Sequence, residues 1–353
     1  MDKVLNVCTV PVTGNGIALQ LAVLNQELGG IAISHFGGVA ADVAPRLASA
    51  TMICLPDRLH HPVKYIFALS RAVRKNRYRV VHVHGNSCTM ALDLLGAFLG
   101  GAKGRIAHCH NTACVYDKLS RLLKLPFRLL VTHRAACGKA AGEWLYGRRD
   151  FTVLPVSVNA PAFAFDPAAR EEVRRELGLE GKIAVGCAAG LTQVKNHAAL
   201  LRAFVRLPEE YALVLMGDGP LRQKLEDLAS GLGISDRVHF LGQRSDVPRL
   251  LNGMDRMALA SFAEGFPTVA LEWQCAGLPA ALSDRITRDC NLTGALRYAD
   301  PGDEAAFAEA IANLPAADRA TASESGRETV ARAGYDTRGV AEAYRRLWNS
   351  IQK

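Results

Sequence analysis

Two carboxylates, Glu264 and Glu272, stand in the stretch SFAEGFPTVALEWQCAGLPAALSD, residues 261–284. Arg256–Ala260 reads as a buried strand. Pro267 suits the first turn of a helix, because its missing N–H falls where no intrahelical partner exists. Gly277 supplies the C-terminal cap before the next strand. The loop Ala263-Glu264-Gly265-Phe266 therefore lies at a strand's carboxyl end, immediately before a helix N-terminus. Free backbone N–H groups and the helix dipole favour a phosphate or diphosphate at such a place. A carboxylate beside an anion site is electrostatically awkward unless it binds sugar hydroxyls, which are donors that an ionised carboxylate accepts. The alternative is that Glu264 caps the helix and Glu272 sits on its wet face.

Three further groups have the right types and places for chemistry. In AAGLTQVKNHAALLRAF, residues 188–204, a strand ends near Gly190 and a helix starts near Asn196. Lys195 stands at that start, where its point charge can meet phosphate oxygens; otherwise it is an ordinary surface lysine. The first turn of the chain, Pro11-Val12-Thr13-Gly14-Asn15-Gly16, brings two glycines that permit close backbone approach to a ligand. It is not a dinucleotide fingerprint, since the third glycine is replaced by Leu19, and Gly217-Asp218-Gly219 fails likewise at Arg222. A nicotinamide-dependent reductase is thereby disfavoured. Finally, VVHVHG and RIAHCHNT place His82, His84, His108 and His110 at the ends of two strands. Alternation puts each pair on one side of its strand, so four imidazoles can gather. No carboxylate or thiolate completes a recognisable metal-ligand set around them. His110, the last before the loop Asn111-Thr112, is best placed to reach a substrate; the alternative for each is a satisfied strand-end histidine.

The elements that must carry these residues alternate along the chain. Apolar runs at Val4–Val10, Ile31–His35, Met52–Leu55, Val80–His84, Arg105–His108, Ala135–Cys137 and Phe151–Leu154 are separated by segments of helical length. A second series follows at Ile183–Ala188, Ala212–Met216, Val238–Leu241, Arg256–Ala260 and Ala280–Ser283. Strands alternating with crossover helices imply parallel sheets covered on both faces. Two α/β, doubly wound Rossmann-like domains are expected: residues 1–160, a Pro-rich linker region at 161–181, and residues 182–335. A tail helix at 336–353 carries Val340, Tyr344, Leu347, Trp348 and Ile351 at helical spacing. Ligands in such sheets bind at the carboxyl ends of the strands, and the cleft between two facing domains is the expected active site.

Composition agrees with a folding globular chain and rules out a disordered one. The chain has 353 residues, 49% hydrophobic and 22% charged, with no apolar run long enough to cross a membrane. Its nine cysteines are scattered without C-x-x-C spacing, as expected of reduced thiols in a cytosolic protein rather than a disulfide framework. The formal charge of +8 is unevenly spread. Residues 1–150 hold 19 basic against 8 acidic residues, a net of +11, and the remainder 23 against 26. Lys118, Arg121, Lys124 and Arg128 would share one helix face if Pro126 does not interrupt it. This is either a solvated face or a surface for anionic lipid headgroups or a phosphorylated acceptor. Nucleic acid is not expected as a partner, because no binding module accompanies the charge.

Glu264-Gly265-Phe266-Pro267 with Glu272, preceded by VLMGDGPLRQKLEDLA and FLGQRSDVPRLLNGMD, resembles glycosyltransferase family 4. The Lys195-Asn196 turn and RIAHCHNT are similar to its branch for bacterial capsular polysaccharide and exopolysaccharide synthesis. The resemblance implies the B-type glycosyltransferase fold, with acceptor in the first domain and nucleotide-sugar in the second. It implies retention at the anomeric carbon, no cofactor and no metal. By matching position, Glu272 binds the nucleotide ribose and Glu264 the hydroxyls of the donor sugar. Lys195, Asn196 and the backbone through Gly265, Phe266, Pro267 and Thr268 hold the diphosphate. His110 contacts the donor sugar near the reacting centre, and Gly14 and Gly16 line the floor where donor and acceptor meet. The expected donor is UDP-linked. The expected acceptor is a lipid-linked or free oligosaccharide, met at the inner face of the plasma membrane through the basic first domain.

One departure from the family pattern matters. The arginine of its usual Gly-Arg-Leu turn is absent, the aligned triplet being Ala189-Gly190-Leu191, and Arg244 in another loop is the candidate replacement. Without that clamp, two other readings stand beside the enzyme: a non-catalytic partner subunit of a second transferase, and a nucleotide-sugar epimerase.

Overall fold

A computed structural model describes residues 4–352, apart from Gly14, Asp42, Ala113, Val115 and Ala317. In chain order the first elements are β1 (Val4–Cys8), α1 (Gly16–Leu28), β2 (Ala32–His35), β3 (Thr51–Cys54), α2 (Pro62–Asn76), β4 (Val80–Gly85) and α3 (Ala91–Leu99). Then come β5 (Gly104–Cys109), α4 (Asp117–Leu122), α5 (Lys124–Leu130), β6 (His133–Ala136), α6 (Lys139–Tyr146) and β7 (Thr152–Val153). The second series is α7 (Pro167–Glu176), β8 (Ile183–Ala188), α8 (His197–Phe204), β9 (Tyr211–Met216), α9 (Arg222–Gly231), β10 (Val238–Phe240), α10 (Val247–Asn252) and β11 (Arg256–Leu259). It continues with α11 (Thr268–Cys275), β12 (Ala280–Ser283), β13 (Leu296–Ala299), α12 (Glu304–Ala312) and α13 (Arg319–Arg332), and the chain ends in α14 (Thr337–Gln352). Two compact units result, Met1–Ser157 with Tyr335–Lys353 and Val158–Gly334.

In the first unit a parallel sheet runs in the order β3-β2-β1-β4-β5-β6-β7. Strand order reverses between β1 and β4, which is where ligands enter sheets of this kind. β4 and β5 pair with His84 beside His108, so their alternating imidazoles share a face. Helix α1 starts because the Asn15 side chain accepts from the Ala18 N–H, and it stops at Gly29 in the left-handed region, φ 72°. Its Leu21 and Leu24 join Val340, Tyr344 and Trp348 of α14 in one buried cluster against Val80 and Ile106. Burying side chains of this size is worth roughly 1.5–3 kcal/mol each. That is why the tail helix belongs to this unit.

In the second unit the order is β10-β9-β8-β11-β12-β13, and the reversal falls between β8 and β11. Strand β13, LRYA, was not expected from sequence: its Leu296 alone is buried, so it lacks an apolar run. The segment expected as linker, 161–181, is folded into this unit instead. Asp166 accepts from the Ala168 and Ala169 N–H groups and Pro167 fills the first helical position, so α7 forms where prolines suggested irregular chain. Val173 of that helix is fully buried.

Candidate active site

The two loops that follow β8 and β11 meet at the second unit's reversal point. The Phe262 N–H donates to the Val194 carbonyl at 2.8 Å, and the Asn196 side-chain amide donates to Ala260 O at 3.2 Å. Asn196 takes a left-handed backbone conformation, φ 53°, which asparagine tolerates better than most residues. The turn lifts Lys195 so that its Nζ lies 2.6 Å from Glu264 Oε1. Two residues 69 apart in sequence thus form a partly buried ion pair. The Gly217-Asp218-Gly219 loop closes this end of the sheet. A Cβ on Gly217 would fall 2.2 Å from Ala189 O, and one on Gly219 2.6 Å from Leu191 O. These glycines serve backbone-to-backbone packing.

Helix α11 begins at Thr268, with Pro267 as its N-cap and no side chain capping it. Pro267 sits one position outside the expected first turn. Gly265, Phe266 and Pro267 are buried and Thr268 is half-buried. Glu272 lies in the second turn. Among the described residues its carboxylate has no hydrogen-bond donor or cation, and burial pushes its pKa up to about 7. A carboxylate held this way gains from any hydroxyl donor brought to it.

Other expected residues behave differently. Arg244 is held by Asp246 in two contacts of 2.7 and 2.8 Å, with Glu176 3.8 Å away. Phosphate capture by Arg244 would have to break that pair, so the side chain is not the open clamp expected of a replacement. A Cβ on Gly190 would meet only Asp218 O at 3.6 Å and the Thr192 methyl at 4.0 Å, so the missing arginine reflects no lack of room. Gly14 lies outside the described residues; Gly16 is exposed, at the first position of α1, with open space around it.

The four histidines of the first unit do gather. His82, His84 and His108 are completely buried and His110 is half-buried. His82 stacks on His84 at 4.3 Å and His108 packs against His110 at 4.0 Å between ring centres. Across the strands, His82 Nε2 is 3.2 Å from His108 Nδ1, and His84 Nδ1 is 3.1 Å from His110 Nε2. Nitrogens of His82, His84 and His108 fall within 4.8 Å of one another. Hydrogen bonds between the rings and face-to-face stacking hold the four imidazoles together. Burial holds all four imidazoles well below the ordinary histidine range, His110 at about 3. Asn6, Tyr344 and Trp348 complete the cluster and were missed by sequence reasoning. The tail's periodicity marked Tyr344 and Trp348 as apolar, but their O–H and N–H carry no sequence signal.

The basic stretch also differs from expectation. The helix breaks at Leu123, φ −83° and ψ 3°, between α4 and α5, so the four basic residues do not share one continuous face. Leu122, Leu125 and Leu129 are 75, 66 and 75% exposed, an apolar rim among those charges. No helix among the described residues is long and apolar enough to cross a membrane.

Comparison with known proteins gives this geometry a context. EpsF of Bacillus subtilis (strain 168), a glycosyltransferase by name, is 32% identical over 307 residues, 82% of this chain and 79% of its own. The UDP-Gal:alpha-D-GlcNAc-diphosphoundecaprenol alpha-1,3-galactosyltransferase of Escherichia coli is 27% identical over 259 residues, 67% of this chain and 66% of its own. Anabaena Alr3699/HepE, whose structure was solved in complex with UDP and glucose, superposes with a TM-score of 0.84. It is 18% identical and the match covers 99% of this chain and all of that one. That likeness shows the shared B-type glycosyltransferase fold. The family description "Glycosyl transferases group 1" matches residues 169–328, the stretch that carries the Lys195–Glu264 pair and Glu272. Taken with the EpsF similarity over most of the chain, this makes the protein a glycosyltransferase belonging to the group 1 family.

Proposed function

We propose that the protein transfers a sugar, with retention, from a UDP-sugar to a hydroxyl of a lipid-linked or oligosaccharide acceptor in cell-surface polysaccharide synthesis, without a metal. The observation that carries this reading is the Lys195–Glu264 pair at the reversal point beside the uncapped start of α11. A diphosphate there would take the lysine's charge and the helix-start amides. Glu264 would then turn to the sugar hydroxyls and Glu272 to the ribose. HepE, seen with UDP and with glucose, and the E. coli galactosyltransferase, named for a diphosphoundecaprenol-linked acceptor, support the donor and acceptor classes.

In the proposed step the acceptor oxygen bonds to the anomeric carbon on the face from which the diphosphate leaves. The C–O bond to the diphosphate breaks, and the acceptor's proton passes to the departing phosphate oxygen. Lys195 and the amides neutralise the charge that grows there. His110 accepts a hydrogen bond from a hydroxyl of the transferred sugar. Leu122, Leu125 and Leu129, set among Lys118, Lys124 and Arg128, would seat the first unit on an anionic membrane surface.

Thermal unfolding with UDP-, GDP- and ADP-sugars, and with the free nucleotides, tests the donor assignment. UDP compounds are expected to raise Tm by mass action, and Glu272→Ala to abolish the rise. No shift with any nucleotide would sink the catalytic reading and favour the partner-subunit one.

A further inference from the structure

The histidine cluster contains a constraint that fixes protons on named atoms. Two groups at its ends have only one hydrogen-bonding sense. The Asn6 side-chain amide donates through Nδ2 to Ala32 O at 3.3 Å, which turns its Oδ1 toward His84 Nε2, 3.1 Å away. A carbonyl oxygen only accepts, so His84 must carry its proton on Nε2. Its Nδ1 is then an acceptor, and its partner among the described residues is His110 Nε2 at 3.1 Å. His110 must therefore be protonated on Nε2, leaving Nδ1 bare. At the other end the Trp348 indole, a donor only, gives its N–H to His82 Nδ1 at 3.0 Å. His82 then donates from Nε2 to His108 Nδ1, and the Tyr344 hydroxyl stands 3.3 Å from that same nitrogen. His108 Nε2 is buried without a partner among the described residues, which is the unmet N–H this assignment requires.

The geometry points to Asn6 and His84 as positioning residues that lock His110, a half-buried residue, in its Nε2–H tautomer, leaving the lone pair on Nδ1. His110 would then act as a hydrogen-bond acceptor for a sugar hydroxyl and not as a donor to phosphate. This deepens the proposed role of His110 and rests on it. Which nitrogen of an imidazole is protonated follows from the bond made by the other. Here the chain of command runs from Asn6 on β1 through His84 on β4 to His110, the residue that follows β5.

The test is the 15N spectrum of the full chain labelled at histidine, in which the two ring nitrogens of each neutral tautomer have distinct shifts. His110, assigned by its loss in His110→Gln, is expected as the Nε2–H form, unchanged from about pH 5 to 8 where free histidine titrates. In Asn6→Leu, His84 loses its acceptor, so His110 is expected to change or mix tautomers. With that change kcat should fall on the order of 10-fold or more, the scale of losing an outer partner that orients an imidazole, while UDP affinity, set in the other unit, stays put. A wild-type His110 protonated on Nδ1 overturns the inference even if Asn6→Leu fails to fold. An unchanged tautomer in a folded Asn6→Leu overturns it too. A locked Nε2–H tautomer in an enzyme whose His110→Gln variant keeps full kcat would leave the lock standing and remove the proposed role of His110.

Discussion

At the scale of single residues, the second unit holds two acids in opposite states. Glu264 has its cation 2.6 Å away, whereas Glu272 has burial and, among the described residues, no counterion. The raised pKa has a definite sign. The folded protein disfavours the Glu272 carboxylate, so a cost is absent below the unfolded value near 4.5, grows as pH rises, and is complete above about 7. It amounts to ~3 kcal/mol at most. Glu272→Gln is therefore expected to raise the Tm of the ligand-free protein at pH 8 and to leave it nearly unchanged at pH 5. The same change should abolish UDP stabilisation if Glu272 accepts from the ribose. Calorimetry across that range reads both effects; a Gln variant no more stable at pH 8 would mean the carboxylate is well solvated. Glu264 separates sugar from nucleotide in a different way. Glu264→Gln frees Lys195 for phosphate, so free UDP should bind at least as tightly while sugar transfer falls by about 100-fold or more, the range for a lost transition-state contact. Isothermal titration beside a transfer assay would find the idea wrong if both binding and transfer fell together.

At the scale of elements, loop geometry decides what sequence could only suggest. Gly190 has room for a side chain, so Gly190→Arg should fold and add a charge-assisted phosphate contact worth about 1.5–3 kcal/mol. UDP binding is expected to tighten by about 10-fold or more; an arginine that leaves it unchanged would show that the turn aims the side chain elsewhere. The strand-helix alternation was legible because β1, β4, β5, β8, β9 and β11 are short apolar runs with turn residues at their ends. β13 was not legible, since only Leu296 of its four residues is buried. Nor was α7, whose start depends on Asp166 capping two amides beside a proline that reads equally well as a helix breaker. The places of Glu264 and Lys195 after strands, and of Glu272 in the helix that follows, were legible from turn and strand signals. Their assembly was not, because the Lys195–Glu264 contact depends on strand order, which places β8 beside β11. Asn6 was hidden for the same reason: it is a polar residue in a strand until β4 is known to lie next to β1.

For the molecule as a whole, charge and apolar exposure fall on the same unit. The excess of 11 positive charges in residues 1–150 coincides with exposed Leu122, Leu125 and Leu129 on α4 and α5. Neither feature alone would hold a protein at a bilayer. Basic side chains near an anionic surface contribute about 1 kcal/mol each and are screened within a Debye length, ~10 Å at 0.1 M salt. Three leucines entering the headgroup region add a part that salt does not screen. The combination makes a two-part expectation for vesicles of neutral lipid with and without anionic lipid. Binding of the wild type should require anionic lipid and weaken severalfold between low and high salt. Leu125→Ser with Leu129→Ser should lower binding at every salt concentration without lowering Tm, because both side chains are exposed in the folded protein. A loss of Tm would place those leucines in the folded core, and salt-independent binding would place the attraction elsewhere than in the charge.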